Sequence, residues 1–318
     1  MKVLVTGASG FLGSWICRVI SQSFEVSALL REESDTYKLE GIDSLTLLRT
    51  SEPNWHQTIS NANFDVLILN DWWGVGNKHR NDPRQFENIT RFEKSLDAAK
   101  KIKPKLIIGV GSQAELGPVS GEISEFQPDN PTSSYGEAKV QARKLLFENN
   151  LETISRIAWL RVFSTYGPLD EESWLIPDTI KNLIHDQKMD LTPGDQIWSY
   201  LHAYDLAKAV ERIIVDQEIS GIVNAGNPNT IKIKEVVSEI SSILEKRNLL
   251  NFGAIPYRED QVMTLIPKCE KLLKSGWQPK VDFHDGLIHL INWFKGNNSY
   301  LKFNDGSYLD LNVPKIKL

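Results

Sequence analysis

The sequence has little cysteine, and this scarcity constrains where the protein works. Only 2 of the 318 residues are cysteines, Cys17 and Cys269, and they lie far apart without the spacing of a metal site. A small disulfide framework needs more of them, so this usage fits a reducing compartment. We therefore expect a cytoplasmic protein that has neither a disulfide framework nor a metal centre.

Long apolar runs, a leader sequence and an excess of positive charge are also missing. No apolar run reaches the roughly 18 residues that a membrane span requires. The chain starts directly in a strand-like segment, Met1-Lys2-Val3-Leu4-Val5, which argues against a secretory signal peptide. The net charge of -5 provides no basic field for nucleic acid or an anionic membrane. We expect a soluble protein that binds neither.

Short apolar runs alternate with amphipathic stretches through the first half of the chain. The predicted strands cover residues 2–5, 24–30, 45–48, 65–69, 105–110 and 157–163, and the predicted helices cover residues 11–20, 85–101 and 135–149. Strands that alternate with helices form parallel sheets covered on both faces. The pattern therefore predicts an α/β fold with a doubly wound parallel sheet, the Rossmann architecture.

This alternation breaks after residue 165, which indicates a second unit. We assign residues 1–165 to a dinucleotide-binding domain, to which residues 203–226 return as a helix and a strand. Residues 166–202 and 227–295 are interrupted by prolines, and we interpret them as a smaller C-terminal α/β lobe that binds the substrate. The tail, residues 296–318, is polar and irregular in pattern, and we assign it no function.

Three glycines, Gly7, Gly10 and Gly13, follow the first predicted strand and open the first helix. In such a loop the first glycine permits a tight turn, the second lets amides approach a pyrophosphate, and the third lets helix and sheet pack closely. Free N–H groups and the helix dipole then favour the diphosphate at the helix N-terminus. The pattern predicts a dinucleotide site, with a structural strand–helix turn as the alternative. The further loop residues expected to bind the cofactor are Ser9, Phe11 and Leu12.

The second predicted strand ends at Arg31 instead of the acidic residue that commonly binds the ribose 2′-hydroxyl. A guanidinium at this position can pair with the 2′-phosphate of NADP. We therefore predict NADP in preference to NAD, with NAD as the alternative. A solvated Arg31, neutralised by Glu32 and Glu33, is the competing interpretation.

A tyrosine and a lysine four residues apart, Tyr135 and Lys139, share one face of a predicted helix. A nearby ammonium stabilises a phenolate, so the tyrosine can exchange a proton with a substrate oxygen. Ser112 lies at the carboxyl end of the fifth predicted strand, where ligands of parallel sheets bind. We predict Ser112, Tyr135 and Lys139 as catalytic residues, against the alternative of an exposed helix-surface pair.

The order of these motifs resembles the extended short-chain dehydrogenase/reductase family, the NAD-dependent epimerase/dehydratase group, over residues 1–293. Three stretches, residues 111–115, 80–83 and 197–202, resemble nucleotide-sugar 4-ketoreductases similar to CDP-abequose synthase. The resemblance implies a nucleotide-diphosphate sugar as substrate and a homodimer formed through the helices predicted at residues 85–101 and 135–149. It implies cofactor contacts at Asn88 and Phe163 and substrate contacts at Gln113, Trp174 and Arg258.

Within this family the residue pattern favours one reaction. The 4,6-dehydratases have an acidic pair directly after the catalytic serine position, whereas Gln113 and Ala114 follow Ser112 here. Elimination needs an acid to expel water, which leaves reduction of a 4-keto sugar or epimerisation through a transient ketone. A reductase commonly prefers NADPH, so Arg31 leads us to expect reduction. A 4-epimerase with tightly bound NAD is the alternative, followed by a non-catalytic NAD(P)-binding sensor and a small-molecule carbonyl reductase. Trp72 and Trp73 replace small residues of many relatives and either stack on a ring or belong to the core.

Overall fold

A computed structural model describes residues 1–50, 59–60, 62–149, 151–170, 173–259, 261–297 and 300–315. The strands are β1 (Lys2–Val5), β2 (Glu25–Arg31), β3 (Leu45–Thr50), β4 (Val66–Leu69), β5 (Leu106–Ser112), β6 (Gly121–Ile123), β7 (Arg156–Val162), β8 (Thr165–Tyr166), β9 (Met189–Leu191), β10 (Ile197–Ser199), β11 (Leu201–His202), β12 (Gly221–Ala225), β13 (Thr230–Lys232), β14 (Leu250–Phe252), β15 (Leu265–Pro267), β16 (Leu301–Lys302) and β17 (Tyr308–Leu309). The helices are α1 (Phe11–Ile20), α2 (Glu87–Ile102), α3 (Ser134–Glu148), α4 (Leu175–Ile184), α5 (Ala203–Val215), α6 (Ile233–Ile243), α7 (Glu270–Lys274) and α8 (Phe283–Phe294).

Seven strands form one sheet in the order β12-β7-β5-β4-β1-β2-β3, and every pair in it is parallel. All residues of the central strands β4 and β5 are buried, as expected for strands that are covered on both faces. The predicted doubly wound parallel sheet is therefore confirmed. Strand β12 returns to the sheet beside β7 after the long excursion that follows β7.

The alternation of side chains in β1 shows how both faces become covered. Val3 and Val5 point into a core shared with α1 and α5, in which Trp15 is fully buried. Leu4 points to the opposite face, into a core shared with α2 and α3 that includes Phe92. Successive strand residues face opposite sides of a sheet, so a continuous apolar strand supplies both cores at once.

A third apolar cluster lies outside the sheet and joins α4, α6 and α8. Its buried members include Ile180, Ile240 and Leu290, one from each helix. The two-stranded pairs β9–β14 and β10–β13 lie in the same part of the chain. These elements face the carboxyl ends of the sheet strands across a cavity, as the lining of that cavity shows.

The tail differs from the irregular segment that the sequence predicts. Strands β16 and β17 form an antiparallel pair, and Leu301 and Leu311 are buried in the core shared with α1. The Arg18 guanidinium of α1 donates to the carbonyl oxygens of Leu311 at 3.1 Å and Asn312 at 3.0 Å. It also donates to the carbonyl oxygens of Lys38 at 2.8 Å and Glu40 at 3.1 Å. The few apolar residues of the tail are separated by polar ones. The tail therefore has no hydrophobic periodicity from which this packing could be predicted.

Candidate active site

A cavity of about 920 Å³ opens along the carboxyl edge of the sheet. Parallel α/β sheets bind ligands at this edge, because the loops after the strands converge there. The predicted site residues that line the cavity are Gly7, Ser9, Gly10, Phe11, Leu12, Arg31, Ser112, Gln113, Tyr135, Lys139, Phe163, Trp174 and Arg258. Two predicted cofactor residues, Gly13 and Asn88, lie outside this lining. The fold thus brings together residues that are far apart in the sequence, such as Gly7 and Arg258.

The glycine loop between β1 and α1 has the geometry of a phosphate cradle. Gly7 has a φ of 61°, and a Cβ at this position would lie 2.7 Å from the Asn70 carbonyl oxygen. A Cβ on Gly10 would lie 3.3 Å from the Gly7 carbonyl oxygen, and Gly10 caps α1 without offering any side-chain acceptor. The amides that begin α1 therefore face the cavity, and the loop fits the diphosphate of a dinucleotide.

Gly13 serves helix packing and does not contact the cavity. A Cβ at this position would lie 2.2 Å from the Gly7 carbonyl oxygen and 2.8 Å from the Ala8 Cα. Real Cβ atoms do not approach backbone so closely, so a side chain here would force α1 away from the loop. Its contribution to cofactor binding is to keep that loop in place.

Asn88 is likewise a support and not a lining residue. Its Oδ1 accepts from the Trp73 amide at 2.9 Å, and its Nδ2 donates to the Trp73 carbonyl at 3.1 Å and to the Gln85 carbonyl at 3.1 Å. These contacts engage both amide protons and leave Oδ1 able to accept one more hydrogen bond. Asn88 thus fixes the loop that follows β4, and its contact with the cofactor stays a prediction.

Ser112 ends β5 and caps the short 3-10 helix Gln113–Leu116. Its Oγ accepts from the Ala114 amide at 3.2 Å, and its own amide donates to Glu115 Oε1 at 2.7 Å. A hydroxyl accepts two hydrogen bonds and donates one, and the Ser112 hydroxyl also hydrogen-bonds the Tyr135 phenol at the cavity wall. The reciprocal cap holds the serine in one orientation.

Glu115 had not been predicted as a site residue, and it anchors this cap from behind. Its Oε1 accepts from the Trp159 indole at 2.9 Å, and its Oε2 lies 3.3 Å from Arg143 Nε and 3.6 Å from Arg161 Nε. The carboxylate is completely buried and does not line the cavity. A buried carboxylate needs such cationic neighbours to remain charged.

Tyr135 lies in the first turn of α3, which Ser133 caps by accepting from the Gly136 amide at 3.2 Å. Burial raises the pKa of the Tyr135 phenol, while a hydrogen bond with the Ser112 side chain and the positive charge of Arg80 act in the opposite direction. The negative charge of Glu115 raises this pKa further. The phenol is therefore protonated at neutral pH in the absence of ligands and can act as an acid.

Lys139 lies one turn after Tyr135, but its ammonium is directed elsewhere. Its Nζ donates to the Val110 carbonyl at 2.8 Å, lies 3.8 Å from the centre of the Trp72 ring, and is 5.9 Å from the centre of the Tyr135 ring. Burial lowers the pKa of Lys139 to about 7, although Glu115 and Asp71 oppose this. The sequence predicts an ammonium beside the phenol. Lys139 meets this expectation only in part, because its Nζ is directed at Val110 and Trp72 and its pKa is lowered.

Arg80 and Trp72 line the cavity but are not among the site residues that the sequence predicts. Arg80 Cζ lies 5.4 Å from the centre of the Tyr135 ring and 5.6 Å from that of Trp174. The Trp72 indole packs edge-on against Tyr135, with 6.3 Å between ring centres, and donates to Gln85 Oε1 at 2.9 Å. In the sequence, Arg80 lies in one of the stretches that resemble 4-ketoreductases, and Trp72 stands where the resemblance leads us to expect a small residue. Neither observation predicts a contact with Tyr135.

Cationic side chains line the cavity in several places. Arg31 ends β2 as an exposed side chain, and Lys38 also lines the cavity, where its Nζ donates to the Leu169 carbonyl at 2.7 Å. Arg258 is an exposed lining residue as well. Gln113 lies beside Ser112, and its Oε1 is buried without a hydrogen-bond donor among the described residues. The neutral Gln113 amide therefore shares the cavity with cations that lie both near Tyr135 and away from it.

A sequence profile described as the NAD dependent epimerase/dehydratase family matches residues 3–226, which is most of the chain. The chain belongs to this family. The resemblance deduced from the glycine loop, Ser112, Tyr135 and Lys139 is thereby confirmed. The protein is an enzyme, and the family name identifies its cofactor as a nicotinamide dinucleotide.

Two curated relatives of this chain have names that refer to nucleotide sugars. The dTDP-6-deoxy-L-talose 4-dehydrogenase (NAD(+)) of Aggregatibacter actinomycetemcomitans is 25% identical over 249 residues, which cover 75% of this chain and 90% of the relative. The CDP-abequose synthase of Salmonella muenchen is 22% identical over 298 residues, covering 92% of this chain and 97% of the relative.

Solved structures show the same fold. The UDP-N-acetylglucosamine 4-epimerase from Methanobrevibacter ruminantium M1, in complex with UDP-N-acetylmuramic acid, superimposes with a TM-score of 0.82 at 20% identity, covering 92% of this chain and 98% of that one. DesIV, a dTDP-glucose 4,6-dehydratase from Streptomyces venezuelae with NAD and TYD bound, has a TM-score of 0.82 at 19% identity, covering 94% and 98%. Within the described part of this chain, no helix is both long and apolar enough to cross a bilayer.

Proposed function

We propose that this enzyme reduces the 4-keto group of a nucleotide-linked deoxysugar with NADPH. The observation that carries the proposal is the position of Tyr135, a protonated phenol buried at the cavity wall beside the Ser112 hydroxyl. A curated relative is named a 4-dehydrogenase of dTDP-6-deoxy-L-talose, and oxidation at that carbon is the reverse of a 4-keto reduction. The relative named CDP-abequose synthase supports the same substrate class.

Each side chain of the site has a distinct task in this proposal. Tyr135 gives its proton to the keto oxygen of the substrate, and Ser112 donates a hydrogen bond to the same oxygen. Lys139 uses one of its three ammonium donors on the Val110 carbonyl, and the others can hold a hydroxyl of the cofactor ribose. The bound nicotinamide supplies the hydride, and the glycine loop holds the diphosphate that orients it.

The residue next to Ser112 supports reduction over dehydration. Elimination of water needs an acid at the sugar, whereas Gln113 presents a neutral amide to the cavity. Glu115, three residues after Ser112, is held by Arg143 and Arg161 behind the site. Neither side chain provides the acid that a 4,6-dehydratase requires at this place.

Arg31 supports NADPH as the reductant. Its exposed guanidinium lines the cofactor end of the cavity, where an acidic residue would repel a 2′-phosphate. A 4-epimerase with tightly held NAD is the second candidate. An epimerase oxidises and reduces the same carbon with one retained cofactor, and the fold is shared with a 4-epimerase.

Removal of the phenol tests the assignment of Tyr135. Purified Tyr135→Phe should bind NADPH like the wild type but lose at least roughly 10²-fold in turnover, because a general acid is missing. The assay follows NADPH oxidation with nucleoside-diphosphate 4-keto-6-deoxyhexoses that differ in the base. Near-full activity of the variant would refute the proposed role.

The two candidate reactions are separated by the cofactor that the purified enzyme retains. A reductase exchanges its cofactor in every cycle, so native mass spectrometry should find little bound dinucleotide. Stoichiometric NAD that survives gel filtration would support the epimerase instead. The nucleotide base follows from which nucleoside diphosphate inhibits most strongly.

We also propose the division of labour that the sequence suggests. Residues 1–165 and 203–226 bind the dinucleotide, and residues 166–202 and 227–295 bind the sugar nucleotide, with Trp174 and Arg258 on the cavity wall as supporting contacts. A homodimer through α2 and α3 is the expected assembly. Light scattering at the mass of two chains would support it, and a monomer would remove it.

A further inference from the structure

Arg80 places a second cation at the tyrosine. It follows the 3-10 turn Asn77–His79 and lines the cavity, with its guanidinium between the rings of Tyr135 and Trp174. The Tyr135 amide donates to the Arg80 carbonyl at 2.8 Å, which ties the two residues through the main chain. The guanidinium is therefore held near the phenol by the backbone as well as by its aromatic neighbours.

Among the residues that the structure describes, no carboxylate forms an ion pair with Arg80. Within the described ranges, no oxygen accepts a hydrogen bond from its guanidinium, and its Nε is buried without any acceptor. Arg84, four residues later, also lies over a ring, 4.4 Å from the centre of Trp73, but it is paired with Asp82 at 2.7 Å. A partly buried cation without a counter-ion is costly.

The Arg80 guanidinium lies closer to the centre of the Tyr135 ring than the Lys139 ammonium does. Its Cζ is 5.4 Å from the ring centre, whereas Lys139 Nζ is 5.9 Å away and hydrogen-bonded to Val110. Lys139 has a pKa of about 7, so much of it is neutral at neutral pH in the free enzyme. A guanidinium stays charged throughout.

The groups that face the Tyr135 phenol act in different directions. The Ser112 hydroxyl and the Arg80 charge favour the phenolate, while burial and the Glu115 carboxylate favour the neutral phenol. Lys139 and the Trp72 ring complete the surroundings. Arg80 is thus the permanent cation that opposes burial and Glu115.

We propose that Arg80 is a positioning residue for catalysis, the second cation of the active site, which stabilises the phenolate that Tyr135 becomes after giving its proton to the substrate. The proton passes from Tyr135 to the substrate oxygen, and the tyrosine regains one from solvent. The inference rests on the proposed role of Tyr135 as the acid. Its test does not require turnover, so the two can fail separately.

Nitration by tetranitromethane reports the phenolate directly, because the reagent attacks tyrosinate. Below the pKa of the phenol, the nitration rate is proportional to the phenolate fraction, so a rate ratio gives the pKa shift. Mass spectrometry of peptides quantifies Tyr135 against Tyr308, an exposed tyrosine of the same chain that serves as internal standard. The comparison is made in the cofactor-free enzyme at several pH values between about 7 and 9, below the reference pKa of tyrosine.

Arg80→Met and Arg80→Lys are the informative pair. Methionine and lysine have similar length, so access of the reagent to Tyr135 is matched and only the charge differs. We expect Arg80→Met to nitrate Tyr135 about tenfold more slowly than the wild type, and Arg80→Lys to remain within about threefold of it, on the scale of one unit for a nearby charge. Equal rates in the two variants would overturn the proposal.

Two controls separate charge from damage to the fold. Arg84→Met removes a ring-stacked arginine from the same loop and should leave the nitration of Tyr135 unchanged. Arg80→Gln is a second neutral variant, which should behave like Arg80→Met if packing against Trp174 is not the cause. If the rates depend on charge at position 80 but no reduction or epimerisation is found, the inference stands and the proposed function fails.

Discussion

The Lys139 ammonium lies over the Trp72 indole, with Nζ 3.8 Å from the ring centre. A cation over an indole is attracted by the negative face of the ring, and this contact partly compensates for lost hydration. The indole covers one side of the ammonium, and Lys139 is buried, which lowers its pKa. Trp72 therefore bears on the protonation state of an active-site residue.

The first prediction concerns the titration of Lys139. Because burial lowers its pKa to about 7, competitive acylation should label this lysine half-maximally near that pH. Lys105, whose side chain is 77% exposed, is the reference lysine labelled in the same samples. A Lys139 midpoint close to that of Lys105 would contradict the burial seen in the structure.

The second prediction contrasts two glycines of the phosphate loop. Gly13→Ala should destabilise the cofactor-free protein by about 1–3 kcal/mol, because its Cβ would lie 2.2 Å from the Gly7 carbonyl oxygen. Gly10→Ala meets that oxygen at 3.3 Å and should unfold nearly like the wild type while binding the cofactor more weakly. Urea unfolding and cofactor titration measure the two effects, and a stable Gly13→Ala protein would speak against the packing role.

The third prediction concerns the choice of cofactor. Arg31→Asp should lower the NADPH/NADH ratio of catalytic efficiencies, because a carboxylate repels the 2′-phosphate and accepts from a 2′-hydroxyl. Arg49→Asp tests the effect of disturbing the loop alone, since Arg49 does not line the cavity but donates to the carbonyl oxygens of Glu32 at 2.6 Å and Ser34 at 3.2 Å. An unchanged ratio for Arg31→Asp, or equal shifts for both variants, would show that Arg31 does not read the phosphate.

The fourth prediction tests the tail. Leu301 is completely buried, so Leu301→Ala should lower the free energy of unfolding by about 2–4 kcal/mol. Tyr308, which is 67% exposed in the same hairpin, should tolerate the change to alanine within about 0.5 kcal/mol. Urea denaturation measures the free energy of unfolding of both variants. Equal stabilities of the two variants would mean that the tail does not anchor to the core.

Sequence reasoning succeeded where the signal is local. The glycine spacing around Gly10, the helical spacing of Tyr135 and Lys139, and the alternation of strands with helices each depend on neighbouring residues. These patterns were sufficient for the sheet and the family, and most of the predicted site residues line the cavity. They also placed Ser112 correctly at the end of its strand.

The remainder depends on contacts that no spacing encodes. Glu115 meets Arg143 and Arg161 only because a strand, a turn and a helix converge behind Ser112. The position of Arg80 beside the phenol likewise follows from how one loop lies on α3. Such pairings are set by tertiary packing, so composition and periodicity are silent about them.

The four carbonyl contacts of Arg18 join three segments that are distant in sequence: helix α1, the turn around Lys38 and the tail. A buried guanidinium that loses its acceptors is costly, so these parts are constrained to change together. Among close relatives, an arginine at this position should therefore occur together with the terminal hairpin. Chains that lack the hairpin should have a small or apolar residue in its place.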